Sequence, residues 1–312
     1  MNGPLVSVMM PCYNAARSLP LALASLVAQT YSNWECLLVD DGSTDGSHDV
    51  AGRLVDPRVK LIRLPCNRGR GAARQVAVDS ASGDLLSMLD ADDWLYPDKL
   101  ERQVEIMIRE RDVALVGAGL GIVDANNDLM GVRCQGPVGP ICVLGPVVRL
   151  ASPPVAFGSS MLRMHLSRAV RFDPLMFATE DQDFLTPYLL GRRYAVLPDV
   201  SYAYFESTGV TLKKVVNDLR LVRRSFAKHR DVFPFGGRWN EVKLAAKEAT
   251  YRCAFGLGLG KRMVTRRSRP PSPDDLRRFL GARQEVDTVA SRLFGNTAFI
   301  HNEKLAPAAG RY

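Results

Sequence analysis

Five short apolar runs, at residues 5–10, 34–39, 59–64, 85–89 and 113–118, punctuate the first part of the chain. Each is short enough for a strand and rich in Val, Leu, Ile or Met. Most of the segments between them carry helical signals. Leu19, Leu23, Leu26 and Val27 have helical spacing, with Pro20 tolerable in the first turn. Asp40-Asp41-Gly42-Ser43-Thr44-Asp45 is a turn and helix-start signal. Residues 72–81 and 97 to about 109 read as further helices. Strands alternating with helices over short connections predict an open, mostly parallel α/β sheet flanked by helices. Pro11 is expected to end the first strand.

In sheets of this kind ligands sit beyond the carboxyl ends of the strands. Two of those ends are acidic here: Asp40-Asp41, and Asp90, Asp92 and Asp93 in the stretch Leu89-Asp90-Ala91-Asp92-Asp93. Three carboxylates within four positions repel one another, so a cation shares the site or one of them holds a proton. Mg²⁺ or Mn²⁺ suits such an oxygen cluster, above all where the ion also grips substrate phosphates. The plain alternative is a polar turn in which Asp92 or Asp93 caps the helix that starts near Pro97.

Residues 131–154 are rich in Gly and Pro and read as an irregular excursion, a lid or an acceptor contact. Order resumes over 157–162, and Ala178-Thr179-Glu180-Asp181 opens a helix through Phe184, Leu185, Tyr188 and Leu189. Two short strands are expected at 194–197 and 200–205. From Thr211 the chain reads as helical, interrupted at Gly236-Gly237 and over 266–273. The expected organisation is therefore a sheet domain at 1–210 and a basic helical region at 211–312.

The 312 residues are 46% apolar and 24% charged, the balance of an ordinary globular protein. No run of 18 apolar residues predicts a membrane span. The start lacks a signal-peptide pattern, and the six cysteines contain no C-x-x-C pair, which points to reduced thiols in the cytoplasm. The four histidines form no ligand pair, which argues against zinc. Net charge is +8, with much of the excess after residue 213: Lys213, Lys214, Arg220, Arg223, Arg224, Lys228 and Arg230, then Lys261, Arg262, Arg266, Arg267 and Arg269. Such charge could meet an anionic membrane face or an anionic acceptor. A solvated helical surface is the bland reading. Nucleic acid is not expected, because no aromatics interleave with the cations.

Gly69-Arg70-Gly71 opens a helix after a strand and invites a dinucleotide reading, but Arg74 stands where the third glycine belongs. A different combination is more specific. Pro11-Cys12-Tyr13-Asn14, Asp40-Asp41-Gly42-Ser43, Asn67 to Arg74, Asp90-Ala91-Asp92-Asp93 and Glu180-Asp181 occur in this order. The pattern resembles the family 2 glycosyltransferases of the GT-A fold over residues 5–210. That resemblance implies an inverting, divalent-metal-dependent enzyme of polysaccharide biosynthesis. It would move a sugar from a nucleotide-sugar donor to a hydroxyl of a glycan or lipid-linked acceptor.

Carried over residue by residue, the resemblance places Pro11 and Tyr13 at the base pocket, with Tyr13 stacking on the nucleobase. Asp41 would accept a hydrogen bond from a ring N–H, a donor that uracil, thymine and guanine possess. UDP is therefore favoured, with dTDP or GDP as alternatives. Arg74 would lie near the diphosphate, although Gln75 stands where the family carries Asn. Asp92 would coordinate Mn²⁺ or Mg²⁺, and Asp90 would bind the ribose or reach the metal through water. Asp181 would be the general base, with Glu180 beside it; an acid pair in the first turn of a helix also has a purely electrostatic reading. Many relatives carry a downstream histidine at the metal or diphosphate, and none is found over residues 202–211. Glu206 or Ser207 could take its place. The alternatives are a sugar-1-phosphate nucleotidyltransferase, which lacks its glycine-rich N-terminal loop here, and a degenerate nucleotide-sugar-binding protein. The resemblance together with the basic C-terminal region suggests a cytoplasmic protein docking peripherally on the membrane.

Overall fold

A computed structural model describes residues 3–134, 141–206, 211–233, 237–260 and 268–295. Part of the 131–154 excursion, Ser207, Gly236 and the cations at 261, 262, 266 and 267 lie outside the described residues. Strands β1 (Val6–Cys12), β2 (Trp34–Asp40), β3 (Val59–Arg63) and β4 (Leu85–Met88) form a parallel half-sheet in the order β3-β2-β1-β4. Every residue of β1, β2 and β4 is buried, which is why these strands read as largely apolar runs, interrupted only by Ser7, Glu35, Asp40 and Ser87, instead of strictly alternating ones.

Pro11 does not end β1: pairing continues through Pro11 opposite Val39 and Cys12 opposite Asp40. The reason is directional. Met9 accepts from Leu89 N–H on the β4 side, so Pro11, two residues on, faces the same side beyond the last β4 pair. Its missing N–H leaves no ladder partner wanting.

The second half of the sheet is mixed. β9 (Met161–Arg163) lies antiparallel between β4 and β6 (Val113–Val123), and β6 runs parallel to β10 (Arg193–Phe205). Short antiparallel strands β5 (Trp94–Leu95), β7 (Leu129–Arg133) and β8 (Cys142–Leu144) complete it. The parallel expectation holds for the long strands; the antiparallel pairs come from segments of two to five residues, too short to show a period. The two strands expected at 194–197 and 200–205 are one strand with register shifts between Val196 and Val200. Gly119 admits that irregularity, since a Cβ there would stand 3.1 Å from the Asp199 carbonyl oxygen.

Helices α1 (Leu19–Val27) and α4 (Lys99–Arg109) cover one face of the sheet, and α3 (Arg70–Ser80) and α6 (Glu180–Leu189) cover the other. Alternate β1 residues serve the two layers: Val6, Val8 and Met10 pack toward α1, Met9 toward α3. Short helices α2 (Ser47–Gly52) and α5 (Met164–Ser167) link strands. The C-terminal part is helical as expected: α7 (Leu212–His229), α8 (Gly237–Gly256) and, numbered here α9, Pro273–Phe294. α7 and α8 pack on each other through Val215, Leu219, Val222, Phe226, Leu244 and Tyr251. α9 starts at a Ser272/Asp275 capping box and returns to α1, burying Phe279, Ala282 and Val286 with Trp94 and Tyr96.

Candidate functional site

Because β2, β1 and β4 are parallel neighbours, their carboxyl ends lie side by side, and the acidic turns flank the end of β1. Asp40 is buried and accepts from Ser43 N–H at 2.9 Å, with His48 Nδ1 3.6 Å away. Asp41, also buried, accepts from the N–H groups of Arg68 and Gly69, each at 2.8 Å. Burial pushes the Asp41 carboxyl up against the pull of those two donors. Gly42 has φ +73°, and a Cβ there would fall 2.6 Å from the Cys66 backbone. Only glycine lets the β2 turn approach the segment that leads into α3 so closely.

Beside this turn lies a cleft of about 450 Å³, bounded by Tyr13, by residues 67–72 and by the 173–177 loop. Tyr13 is 37% exposed and presents its ring to the cleft, whereas Pro11 is buried within β1 and does not line it. Asn14, at φ +51°, ties the Tyr13 loop to the β2 turn: its Oδ1 accepts from Thr44 N–H at 2.9 Å.

The first two turns of α3 join the acidic segments. Arg74 is 3% exposed; Nη2 donates to Asp90 Oδ1 and Nη1 to Glu180 Oε1, both at 2.8 Å. Arg70, one turn earlier, donates from Nε to the same Glu180 oxygen at 2.5 Å and is half-exposed in the cleft. Glu180 is wholly buried, and its Oε2 has no hydrogen-bond partner. The sequence suggested Arg74 for the diphosphate. In the structure its guanidinium is occupied by the protein's own carboxylates, and Arg70 is the one that reaches the cleft. Sequence reasoning passed over Arg70 as part of a glycine pair. The signal was present: Arg70 and Arg74, four apart, share one helix face.

Asp93 does not cap α4. Its Oδ2 accepts from Tyr202 O–H at 2.7 Å and its Oδ1 from Phe205 N–H at 2.8 Å, which fastens the acidic turn to β10. The same Tyr202 oxygen accepts from Asp90 N–H at 3.1 Å. Asp92, unlike Asp93, is open to solvent.

Electrostatics separate these carboxyls. Burial opposes charge on Asp90, but Arg74 and Arg70 outweigh it and hold the group below its usual value. The protein packed behind Asp92, and then the charge of Asp90, push Asp92 up to about 6. Burial, Asp92 and Asp90 push Asp93 well up. Burial and Glu180 raise Asp181, which is half-buried at the start of α6. Five carboxyls thus share a corner with two guanidiniums, and three of the five resist ionising. A divalent cation would relieve that imbalance.

Among the described residues no three His, Cys, Asp or Glu side chains are grouped to hold a metal alone. The donor chemistry still fits Mg²⁺ or Mn²⁺, which take one or two carboxylates and complete their shell with substrate phosphates and water. Asp92 is the open carboxylate, with Asp90 beside it. Glu206, offered in place of the missing histidine, is engaged by Arg133, whose Nη2 donates to both carboxylate oxygens at 2.6 and 2.8 Å.

A second polar cluster fixes the helix that carries Glu180 and Asp181. Asp183 is buried and accepts from Ser225 Oγ and Lys228 Nζ, each at 2.8 Å, with His229 Nε2 at 2.9 Å. Burial opposes its charge, yet His229, Lys228 and Ser225 hold it down to about 2. Lys228 also reaches Asp173 on the cleft wall at 2.9 Å. This lock is not legible in the residue order, because Asp183 lies 42 to 46 positions from Ser225, Lys228 and His229.

The model of glycosyl transferase family 2 matches residues 7–136. An uncharacterized glycosyltransferase of Haemophilus influenzae is 42% identical over 119 residues, covering 38% of this chain and 48% of the relative. The UDP-Glc:alpha-D-GlcNAc-diphosphoundecaprenol beta-1,3-glucosyltransferase WfgD of Escherichia coli is 34% identical over 131 residues, covering 42% and 51%. The chain thus spans about half the length of these curated relatives. Two solved structures share the fold. Staphylococcus aureus TarS 1–349 in complex with UDP-GlcNAc has a TM-score of 0.61 at 19% identity, covering 92% of this chain and 82% of TarS. The mannosyltransferase PcManGT of Pyrobaculum calidifontis, in complex with GDP-Man and Mn²⁺, has a TM-score of 0.57 at 19% identity, covering 95% and 88%.

Proposed function

We propose that this chain, whose residues 7–136 match the model of glycosyl transferase family 2 and whose fold is shared with TarS, moves a sugar from a nucleoside diphosphate donor to an acceptor hydroxyl with inversion. The observation that carries the proposal is the reach of α3. Its leading residues are held by Asp41, and its arginines hold Asp90 and Glu180. Base pocket, acidic turn and α6 are thereby set in one frame.

Tyr13 supplies the ring on which the nucleobase stacks. Each oxygen of Asp41 already accepts one backbone N–H and keeps a lone pair for a ring N–H of uracil, thymine or guanine. UDP is the preferred donor nucleotide: WfgD is a UDP-Glc glucosyltransferase and TarS is in complex with UDP-GlcNAc, whereas PcManGT is in complex with GDP-Man. Arg70, half-exposed beside the cleft, faces the diphosphate, and Arg74 fixes the carboxylates behind it. Asp92, with Asp90 in support, would hold Mn²⁺ or Mg²⁺, which would supply positive charge against that of the departing nucleoside diphosphate. Asp181 takes the proton from the acceptor hydroxyl, and its raised proton affinity suits that task at neutral pH. The acceptor is a glycan or a lipid-linked glycan on the cytoplasmic side. Residues 1–210 carry the transfer site, and 211–312 serve the acceptor side.

The test is nucleoside diphosphate release and thermal shift with UDP, dTDP and GDP sugars, in Mn²⁺ and in EDTA. UDP sugars in Mn²⁺ should stabilise the protein and turn over, and EDTA should abolish turnover. Release of pyrophosphate from a nucleoside triphosphate and a sugar phosphate would reassign the chain as a nucleotidyltransferase. Tight donor binding with no product across a broad acceptor panel would make it a binding protein.

A further inference from the structure

α8 has two apolar faces. Leu244 and Tyr251 turn inward against α7, as the α7–α8 core requires. On the opposite side Trp239, Val242, Ala246, Ala249 and Cys253 recur every three or four residues and all face solvent. Trp239 is 63% exposed and Val242 58%. Leu257 and Leu259, just past the helix end, extend the strip at 73% and 46% exposure. Scattered exposed apolar residues are ordinary, but a stripe along a 20-residue helix with an indole at one end and leucines at the other is not.

Cations border this stripe on both sides. Lys243 and Lys247 are exposed along one edge, and the Lys243 ammonium lies 5.8 Å from the Trp239 ring centre. On the other edge stands Arg252, and beyond it exposed Arg220 and Arg224 of α7. Of the two acids on α8, Glu248 is neutralised by Arg252 at 2.8 Å and Arg223 at 3.3 Å, and Glu241 sits on the Arg252 edge, away from Lys243. An apolar stripe between cationic margins matches a bilayer surface, where the apolar face enters the acyl boundary and lysines and arginines meet lipid phosphates.

We infer that the outward face of α8 docks the protein on an anionic phospholipid surface, with Trp239, Val242 and Leu257 inserted at the interface and Lys243 and Lys247 on headgroups. The helix lies in the interface plane; no helix among the described residues is long and apolar enough to cross a membrane. The lock of Lys228 and His229 on Asp183 then fixes α6 relative to the docked pair.

Of the three tryptophans, Trp34 and Trp94 are buried, so Trp239 alone reports contact with lipid. The whole chain is titrated with vesicles of phosphatidylcholine alone and with phosphatidylglycerol added, following fluorescence and flotation. Expected are a blue shift and co-flotation with the anionic vesicles only, reversed by salt. Lys243→Glu with Lys247→Glu should weaken partitioning at least about tenfold. Val242→Asp should abolish the shift while leaving the melting temperature in place, and Trp239→Phe should keep flotation and lose the signal. Absence of a shift, or equal binding to neutral vesicles, overturns the inference. A Trp239 emission already blue-shifted without lipid, with a concentration-dependent dimer in sedimentation, would give the face to a second copy and overturns it too. Vesicle binding is read without turnover, so it stands or falls apart from the transferase reading.

Discussion

Arg74 and Glu180 lie 106 positions apart in the chain and meet at 2.8 Å, both shut away from solvent. The guanidinium also holds Asp90, so one cation pins the acidic turn after β4 to the start of α6. A buried pair of this kind is costly to break, because the remaining charge has nowhere to go.

Arg74→Met should therefore destabilise the protein by about 3–5 kcal/mol, the range for removing one partner of a buried ion pair. Arg70 keeps a hold on Glu180, which favours the lower end. Urea unfolding measures it. An unchanged midpoint would mean that the two carboxyls are neutral in the folded chain and that Arg74 holds nothing.

Asp181 and Glu180 should separate in kinetics. Asp181→Asn removes the proton acceptor and should lower kcat by roughly 10²–10⁴-fold with donor affinity retained. Glu180→Gln keeps the shape and loses the charge that positions Arg70, so its main effect should be a raised KM for the donor. A near-normal rate for Asp181→Asn would hand the base role to Glu180.

Metal binding should depend on pH through Asp92. Its carboxyl is raised from 3.8 to about 6, so between those values the folded chain holds a proton that the unfolded chain has released. For this group stability falls as pH rises through that window. Asp183, held down to about 2, has the opposite sign: its contribution is present above about 4 and lost as pH falls toward 2. Because a ligating carboxylate must be ionised, the rise in Tm given by Mn²⁺ should be small near pH 5 and full by about pH 7. Equal increments at both, or an undiminished increment in Asp92→Asn, would take Asp92 out of the metal site.

Lys99 offers a test of the core. It is wholly buried under β4, its Nζ donating to Ser87 Oγ at 2.9 Å and Gln103 Oε1 at 2.8 Å. Burial lowers its pKa from 10.5 to about 7. Between those values the unfolded chain holds the extra proton, so this residue makes stability rise with pH. Lys99→Met should flatten the rise. An unaltered slope from neutral to alkaline pH would show that the ammonium stays charged in place.

Much of the frame was legible in the residues. The largely apolar character of β1, β2 and β4 signalled strands, and the acids at the ends of β2 and β4 marked the crevice. Partners across the fold were not legible. Nothing in the order of residues tells that Tyr202 would bridge Asp90 and Asp93, or that Glu206 would be held by Arg133, because those contacts are made by β10 arriving through the sheet. β5 and β9, at two and three residues, carry too little pattern for any period to show. Arg70 is obscured by its glycine neighbours, which point toward a dinucleotide motif instead.

The strand order bears on how this chain can be cut or grafted. Between β4 and β6 sits β9, and β6 leans on β10, so a fragment stopping at residue 136 would leave two bare strand edges facing a gap. The stretch that matches the family model is therefore not a detachable module. Swapping the downstream half for that of a relative would have to carry β9 and β10 along as part of the scaffold.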